Sequence, residues 1–444
     1  MNKSISFKNI NKLAIPALIA GIAEPILSIT DTAIIGHIDI NATESLAAVG
    51  IVGAFISMLI WVFGQVRSAI SSIISQYVGA NKLDEIKELP AQAIAMIVAS
   101  SLLVLALSYP FSRQIFQFYN ASDQILDYCI AYFNIRIFGF PFALFVFAVF
   151  GTFRGLQNTF YPMIIAIIGA SLNIVLDIIL VYGIEGYIPA MHVEGAAYAS
   201  VIAQVVMAII SLVLLLKKTA ISLRLSFTLH AEVPRLLNMI GNLFIRTIAL
   251  NVALYLATSY ATDYGKEYIA AYTISINIWL LGAFMIDGYS SAGNILSGKL
   301  LGAKEYKSLV ILSNKLFKYG IVIGTIIAVL GAVFYNAIGR IFTNETLVLE
   351  QFYTVFWIVL ITQPINAITF IFDGMFKGMG EMKYLRNLLI LATGLVFVPT
   401  LLIFDYLNYK LIAIWLAFTC WIIARGLPLV FKFRKKFIPL AENQ

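Results

Sequence analysis

Charged residues are scarce in this sequence of 444 residues. Asp, Glu, Lys and Arg account for 12% of it, whereas about a quarter of the residues in soluble domains are charged. Apolar residues account for 61%, and the mean hydropathy is +0.90. Because a water-soluble core cannot bury this much apolar surface, the composition argues against a soluble domain and predicts a membrane protein.

Cysteine and histidine are scarce as well. The two cysteines, Cys129 and Cys420, lie inside apolar runs, which argues against a disulfide framework and a Cys-rich metal site. The three histidines, His37, His192 and His230, have no metal-ligand spacing, and the sequence has no phosphate loop or nucleophile motif. We therefore expect neither an enzyme nor a resident cofactor, and a membrane-embedded enzyme is the least favoured alternative.

Long apolar runs recur along the whole chain. A membrane-spanning helix needs about 20 mostly apolar residues, and short polar turns separate twelve runs of that kind. The predicted spans are 13–36, 46–70, 91–112, 130–152, 160–184 and 193–216 in the first half, and 234–258, 267–290, 315–339, 349–374, 384–405 and 410–431 in the second. The sequence thus predicts an all-α integral membrane protein with twelve transmembrane helices.

The predicted topology explains why the chain carries a net charge of +7. With these spans, 22 of the 30 Lys and Arg residues fall on one side of the membrane, in both tails and in the loops of that side. Positively charged loops stay in the cytoplasm, so both termini are predicted to be cytoplasmic in a plasma membrane, the inner membrane of a bacterium. This distribution explains the positive charge better than nucleic-acid binding does.

The two halves of the sequence match when one is shifted by 223 residues. The shift superposes Glu44 on Glu267, Gly79 on Gly302, Pro141 on Pro364, Gly151 on Gly374, Arg154 on Lys377, and Gly155 on Gly378. Each half has an even number of spans, so both halves enter the membrane from the same side. The pattern therefore predicts two six-helix bundles related by a pseudo-twofold axis along the membrane normal.

This repeat also predicts the domain organisation. We expect an N-terminal lobe at 1–217, a cytoplasmic linker at 218–233, and a C-terminal lobe at 234–444. Parallel repeats of this type characterise some transporters, whose substrate site lies where the halves meet. Duplication within a scaffold or a channel is the alternative.

Five acidic residues lie inside predicted spans, where an ionised side chain near the helix centre costs at least about 2.5 to 3.5 kcal/mol. They are Glu24, Asp31, Asp177, Asp287 and Asp373. From the helical rise of about 1.5 Å per residue, three side chains of the first half, those of Asp31, Asp177 and Ser200, lie about 8 to 10 Å below the outer surface. Each of the five acidic side chains therefore needs a partner or a wet cavity.

Asn173 precedes Asp177 by four residues and so lies on the same helix face. Three spans of the first half can therefore surround one cavity with two carboxylates, an amide and a hydroxyl. Oxygen ligands of this kind suit a hard cation such as Na⁺, and sheltered carboxylates can also carry a proton. Alternatively, Asp31 caps a helix end while Asn173 and Asp177 join neighbouring helices.

The second half lacks this set, because the shift places Leu254 opposite Asp31 and Thr400 opposite Asp177. Ion coupling is therefore expected in the first half alone. Asp287 and Asp373 lie near the cytoplasmic ends of their spans, where a salt bridge is as reasonable as a role in transport.

Two further residues are secondary candidates. Arg246, deep in span seven, needs an acidic or carbonyl partner that the sequence does not identify. Glu24 precedes Pro25, which can kink span one close to Asp31, although a passive packing kink is equally reasonable.

Several short motifs are more specific than the hydropathy pattern. They are Asp-Thr-Ala-Ile-Ile-Gly-His from Asp31 to His37, Leu46-Ala47-Ala48-Val49-Gly50, Phe-Arg-Gly-Leu-Gln-Asn-Thr from Phe153 to Thr159, Leu172-Asn173 with Asp177, Gly195-Ala196-Ala197, Asp287-Gly288, Asp373-Gly374-Met375-Phe376 and Arg425-Gly426-Leu427. These motifs resemble those of the multidrug and toxic compound extrusion (MATE) family, in the branch named for DNA-damage-inducible protein F. The motifs lie in both halves, so the resemblance covers the whole chain.

The resemblance implies export of organic, often cationic, compounds by antiport against H⁺ or Na⁺, with alternating outward and inward opening. It implies that the coupling site, and any bound Na⁺, lies at Asp31, Asn173, Asp177 and Ser200. Gln204 stands where some relatives carry an acid, so the resemblance does not decide whether this chain has an auxiliary proton site there. We expect a monomer in the lipid bilayer.

A lipid-linked saccharide flippase of similar two-lobed architecture is the second hypothesis. Such a protein needs a cationic central cavity for a pyrophosphate. Arg136 and Arg246 are the candidates for that role near mid-membrane.

Overall fold

The structure is a computed structural model that describes residues 5–38, 41–224 and 228–444, without the side chains at 24, 25, 28, 29 and 42. The described residues form twelve long helices. They are α1 (Phe7–Ile35), α2 (Thr43–Gly79), α3 (Leu83–Ser108), α4 (Asp123–Gly155), α5 (Phe160–Tyr182), α6 (His192–Lys218), α7 (Val233–Asp263), α8 (Lys266–Gly302), α9 (Tyr306–Val333), α10 (Thr346–Gly378), α11 (Met382–Tyr406) and α12 (Leu411–Glu442). In length and composition, α2 to α12 can each cross a membrane.

Each of the twelve predicted spans corresponds to one of these helices, which confirms the predicted all-α fold. Several helices extend beyond the apolar run that predicted them. The runs ended at 290, 374 and 431, whereas α8, α10 and α12 continue to Gly302, Gly378 and Glu442. Hydropathy marks only the part of a helix that lipid surrounds, while backbone hydrogen bonding continues into polar sequence.

Some helices change their local geometry just before a proline. In α4 a 3-10 turn at Ile137–Gly139 precedes Pro141, and in α11 a π-helical turn at Thr393–Phe397 precedes Pro399. A proline removes one backbone donor and displaces the carbonyl four residues earlier. The irregular turn in α4 lies directly after Arg136.

The structure reproduces the internal repeat in its helix bounds. The ends of α2 and α8 are 223 positions apart, and α4 and α10 both begin and end 223 positions apart. The packing repeats as well. A Cβ atom added at Gly151 of α4 would lie 2.6 Å from the carbonyl oxygen of Arg67, and one added at Gly374 of α10 would lie 2.2 Å from that of Ser290. Because these residues are also 223 positions apart, the same close helix contact occurs in each half.

Contacts divide the chain into two compact units. The N-terminal unit comprises Ile19–Ile74 and Lys82–Leu237, and the C-terminal unit comprises the chain up to Leu18, Ser75–Asn81 and Asn238–Gln444. The C-terminal unit therefore includes the first part of α1 and the end of α2, and the N-terminal unit includes the start of α7. Between the two sets of helices, α6 ends at Lys218 and α7 begins at Val233.

The core of the C-terminal unit is rich in aromatic side chains. Phe397, Phe418 and Trp421 are almost fully buried, and their ring centroids lie 5.1 to 6.0 Å apart in tilted and edge-on arrangements. Such pairs add to the stability supplied by apolar burial. In the N-terminal unit, Val146, Phe150 and Ile165 are buried together.

In the C-terminal unit, the end of α2 packs against the end of α8 through two glycines. A Cβ at Gly79 would lie 1.9 Å from the carbonyl oxygen of Lys299, and a Cβ at Gly302 would lie 1.9 Å from that of Gln76. Lys299 is the repeat equivalent of Gln76, so the contact is reciprocal. Gln76 Nε2 also donates a hydrogen bond of 2.9 Å to the carbonyl of Gly378.

We predict that Gly302→Ala lowers the free energy of unfolding by about 1 to 3 kcal/mol, because its methyl group would overlap a backbone oxygen. The matched control is Gly241→Ala in α7, where a Cβ would meet no atom within 4 Å. That change is expected to be neutral or stabilising, since alanine favours a helix over glycine. Thermal unfolding in detergent, followed by circular dichroism, measures both. Equal midpoints for the two variants would contradict the packing described here.

Candidate functional site

A cavity of about 310 Å³ lies inside the N-terminal unit. Its walls are mainly apolar and include Leu27, Val49, Ile56, Ile60, Val146, Phe147, Phe150 and Met207. Its polar lining includes Asp31, Thr32, Ser57, Tyr132, Arg136, Asn173, Ser200 and Gln204. A mostly apolar pocket with a few converging polar groups is typical of a small-molecule site.

The four residues of the predicted coupling site lie together at one wall of this cavity. Asn173 Nδ2 donates hydrogen bonds to Asp177 Oδ2 at 2.5 Å and to Asp31 Oδ1 at 3.4 Å. Ser200 Oγ donates to Asn173 Oδ1 at 3.4 Å. The amide of Asn173 therefore joins α1, α5 and α6, and each helix contributes at least one polar group.

Helix geometry explains why α5 supplies two of these groups. Asn173 and Asp177 are one turn apart and occupy the same face, so one side chain can bond to the other. That face also carries Ile165, Ala166 and Gly169, which are buried against neighbouring helices. The polar pair is thus held on the inner face of α5, away from lipid.

The two carboxylates differ in their access to the cavity. Asp31 is 8% exposed and lines it, whereas Asp177 is fully buried and does not. Their carboxyl groups are within hydrogen-bonding reach of each other. In the described part of the chain, Asp177 Oδ1 has no hydrogen-bond partner. A buried acceptor of this kind favours a proton or a cation beside it, because burial without a partner is costly.

The secondary candidates occupy different places. Gln204 lines the cavity one turn beyond Ser200 on α6. The side chain of Glu24 lies outside the described residues. Asp287, on α8, is half-buried and lies near Lys377 in the C-terminal unit.

Arg246 and Asp373 form a buried ion pair in the C-terminal unit. Arg246 Nη2 lies 2.6 Å from Asp373 Oδ1, and Lys377 Nζ lies 3.0 Å from Asp373 Oδ2. Arg425 attracts the same carboxylate, and its guanidinium lies 4.4 Å from the ring centroid of Trp421. Asp373 is therefore the partner that the sequence could not identify for Arg246, and both oxygens of this carboxylate are paired.

Sequence reasoning did not name Tyr132, and it named Arg136 only as a candidate for the cationic cavity of a flippase. They are one turn apart on α4 and face the same space as Asp31. The sequence signal was available, since an arginine inside a span must face a partner or a wet cavity. It did not indicate which cavity, because that depends on how α4 is rotated against its neighbours.

A sequence model of the MatE family matches residues 16–179 and 242–402 of this chain. DNA damage-inducible protein F of Escherichia coli is 26% identical over 430 residues, which cover 95% of this chain and 91% of the relative. A protein of Pasteurella multocida described as probable multidrug resistance protein NorM is 27% identical over 404 residues, covering 89% and 85%.

Solved structures share the fold. The crystal structure of the Vibrio cholerae MATE transporter VcmN in its bent form has a TM-score of 0.89 at 18% identity, with 98% of this chain and 97% of that chain covered. At this identity the likeness supports the twelve-helix fold alone. The match of the family model extends over both halves, however. The chain therefore belongs to the MatE family of multi-pass membrane transporters for small molecules and is not an enzyme.

Proposed function

We propose that the protein is a monomeric antiporter that exports organic, often cationic, molecules in exchange for an inward-moving ion. The observation that carries this proposal is the pair of carboxylates bridged by Asn173 at the wall of an apolar cavity. The name of the Pasteurella multocida relative, a probable multidrug resistance protein, supports the same substrate class. An ion gradient directed into the cell would give the export direction.

Competition for one negative charge would couple the two movements. Asp31 lines the cavity, so a cationic substrate and the coupling ion can both reach its carboxylate. An ion can drive export only if it binds the outward-open and inward-open states with different affinities. Binding at Asp31 and Asp177 would neutralise charge that the apolar bundle stabilises poorly, and would thereby favour one state and release the substrate.

The orientation of the Asn173 amide supports H⁺ as the coupling ion. Its nitrogen faces both carboxylates, and its oxygen accepts from Ser200. A Na⁺ site would use the amide oxygen as a ligand, because Na⁺ prefers oxygen donors. Asp31 and Asp177 are also close enough to share a proton. If the Asn173 amide rotated so that its oxygen faced the carboxylates, the oxygens of Asp31, Asn173, Asp177 and Ser200 could bind Na⁺.

The apolar walls suit an amphipathic organic molecule. Phe147 and Phe150 offer aromatic surface, and Met207 offers a flexible thioether that adapts to different shapes. The flippase hypothesis finds less support, because Arg246 lies in the C-terminal unit, paired with Asp373. Arg136 alone among the candidate arginines lines the cavity, opposite an acidic cluster.

We predict that Asp31→Asn reduces gradient-driven efflux from vesicles to the level of protein-free vesicles. The amide keeps the side-chain volume but can neither bind a proton nor attract a cation. Asp127→Asn is the matched control, because Asp127 is exposed and pairs only with exposed Arg113 among the described residues. Its efflux is expected to equal that of the parent protein. Full gradient-driven efflux by Asp31→Asn would overturn the assignment of the coupling site.

We also predict that a pH gradient alone drives efflux and that a Na⁺ gradient alone does not. Ser200→Ala should retain most of the pH-driven rate, because the proton is carried by carboxylates and not by the hydroxyl. Ser211→Ala, a buried serine three turns further along α6, controls for the loss of a hydroxyl group. Efflux driven by Na⁺ alone, with a higher Na⁺ requirement in Ser200→Ala than in Ser211→Ala, would contradict proton coupling.

A further inference from the structure

Arg136 brings a positive charge into the cavity that contains Asp31. Its Nη1 donates a hydrogen bond of 3.1 Å to Gln204 Oε1. Within the described residues, no carboxylate lies within the 4.0 Å of an ion pair with Arg136. A guanidinium has five N–H donors. Gln204 and the neighbouring Tyr132 hydroxyl engage some of them, and the others remain for a ligand in the cavity.

The local backbone is shaped to hold Arg136 and Gln204 together. Gly139 lies at the end of the 3-10 turn that follows Arg136. A Cβ added there would lie 1.9 Å from Gln204 Oε1 and 3.4 Å from Arg136 Nη1. Only the absence of a side chain at this position leaves space for the amide beside the guanidinium. The half-buried pair therefore lies in the packing of α4 against α6.

The cavity consequently has two polar ends of opposite charge. Asp31 and the groups around Asn173 form the acidic end, and Arg136 with Gln204 forms the basic end. Arg136 also attracts the Asp31 and Asp177 carboxylates, which places the two ends near each other. A purely cationic molecule would satisfy one end and would meet repulsion at the other.

We propose that Arg136 and Gln204 form an anion-recognition subsite, so that the cavity takes amphipathic zwitterions that carry both an amine and a carboxylate. The amine would bind at Asp31, and the carboxylate would accept hydrogen bonds from the guanidinium of Arg136 and the amide nitrogen of Gln204. Arginine suits this task because its planar donors match a carboxylate. The inference rests on the proposed function, since it names the substrate class of the same cavity.

Two fluorescent probes that differ in a single group test the subsite. Nε-dansyl-lysine carries an amine and a carboxylate, whereas dansylcadaverine is the same molecule without the carboxylate. Their affinities are measured by fluorescence titration of the purified full-length protein in detergent, with no ion gradient. The variants are Arg136→Gln, Gln204→Leu, which keeps the positive charge, and Arg113→Gln, which removes an exposed arginine as a control.

The parent protein is expected to bind Nε-dansyl-lysine at least as tightly as dansylcadaverine. Arg136→Gln should weaken binding of Nε-dansyl-lysine about tenfold, the loss of one charged hydrogen-bonded contact, and should leave dansylcadaverine unchanged or tighter. Gln204→Leu should shift the ratio of affinities in the same direction by a smaller factor. Arg113→Gln should leave both affinities as they are.

An equal change for both probes in Arg136→Gln would overturn the subsite, because it would make Arg136 a mere countercharge for the aspartates. The subsite would also be overturned if the parent protein bound dansylcadaverine at least ten times more tightly than Nε-dansyl-lysine. If neither probe bound the parent protein, the proposed cavity function would fail together with the subsite. Failure of coupling alone would leave these equilibrium affinities intact and would be seen only in the gradient assay.

Discussion

The amide of Asn173 holds two carboxylates beside each other inside an apolar helix bundle, and much of the chemistry of the N-terminal unit depends on that contact. In lipid, backbone polar groups satisfy one another within helices, so only side chains are left to bind ions and ligands. Two acids in such surroundings need a counter-ion, a proton or a donor. Asn173 supplies one donor to each, and Asp177 Oδ1 has none in the described part of the chain.

The two units treat their buried charges in different ways. In the C-terminal unit, both oxygens of Asp373 are paired with cations, and the neighbouring Arg425 lies over the ring of Trp421 in the aromatic core. A carboxylate that is paired at both oxygens is held in one arrangement. In the N-terminal unit, Asp31 faces a cavity and Asp177 is incompletely paired. These two carboxylates can gain or lose a bound ion, which makes them suitable groups for ion coupling.

Both units nevertheless use the same helix packing. Gly151 approaches the backbone of α2 and Gly374 approaches that of α8 in the same way, and the repeat relates the two contacts. Close approach between helices depends on small residues in a membrane, where lipid tails remove the hydrophobic force between helices. The packing contacts therefore survive in both halves while the polar groups differ. Arg136 shows the difference most clearly, since it gives the cavity of the N-terminal unit a basic end next to its acidic one.

The number and order of the helices, their repeat, and the grouping of Asp31, Asp177 and Ser200 with Asn173 could be predicted from the amino-acid order alone. This was possible because an apolar run of sufficient length has one stable form in lipid, and because the fixed rise of a helix converts residue number into depth. The pairing of Arg246 with Asp373, and the position of Arg136 and Tyr132 at the same cavity as Asp31, could be read only from the folded chain. Those contacts depend on the rotation of each helix about its axis and on its crossing with neighbours, which side-chain packing sets across the whole bundle.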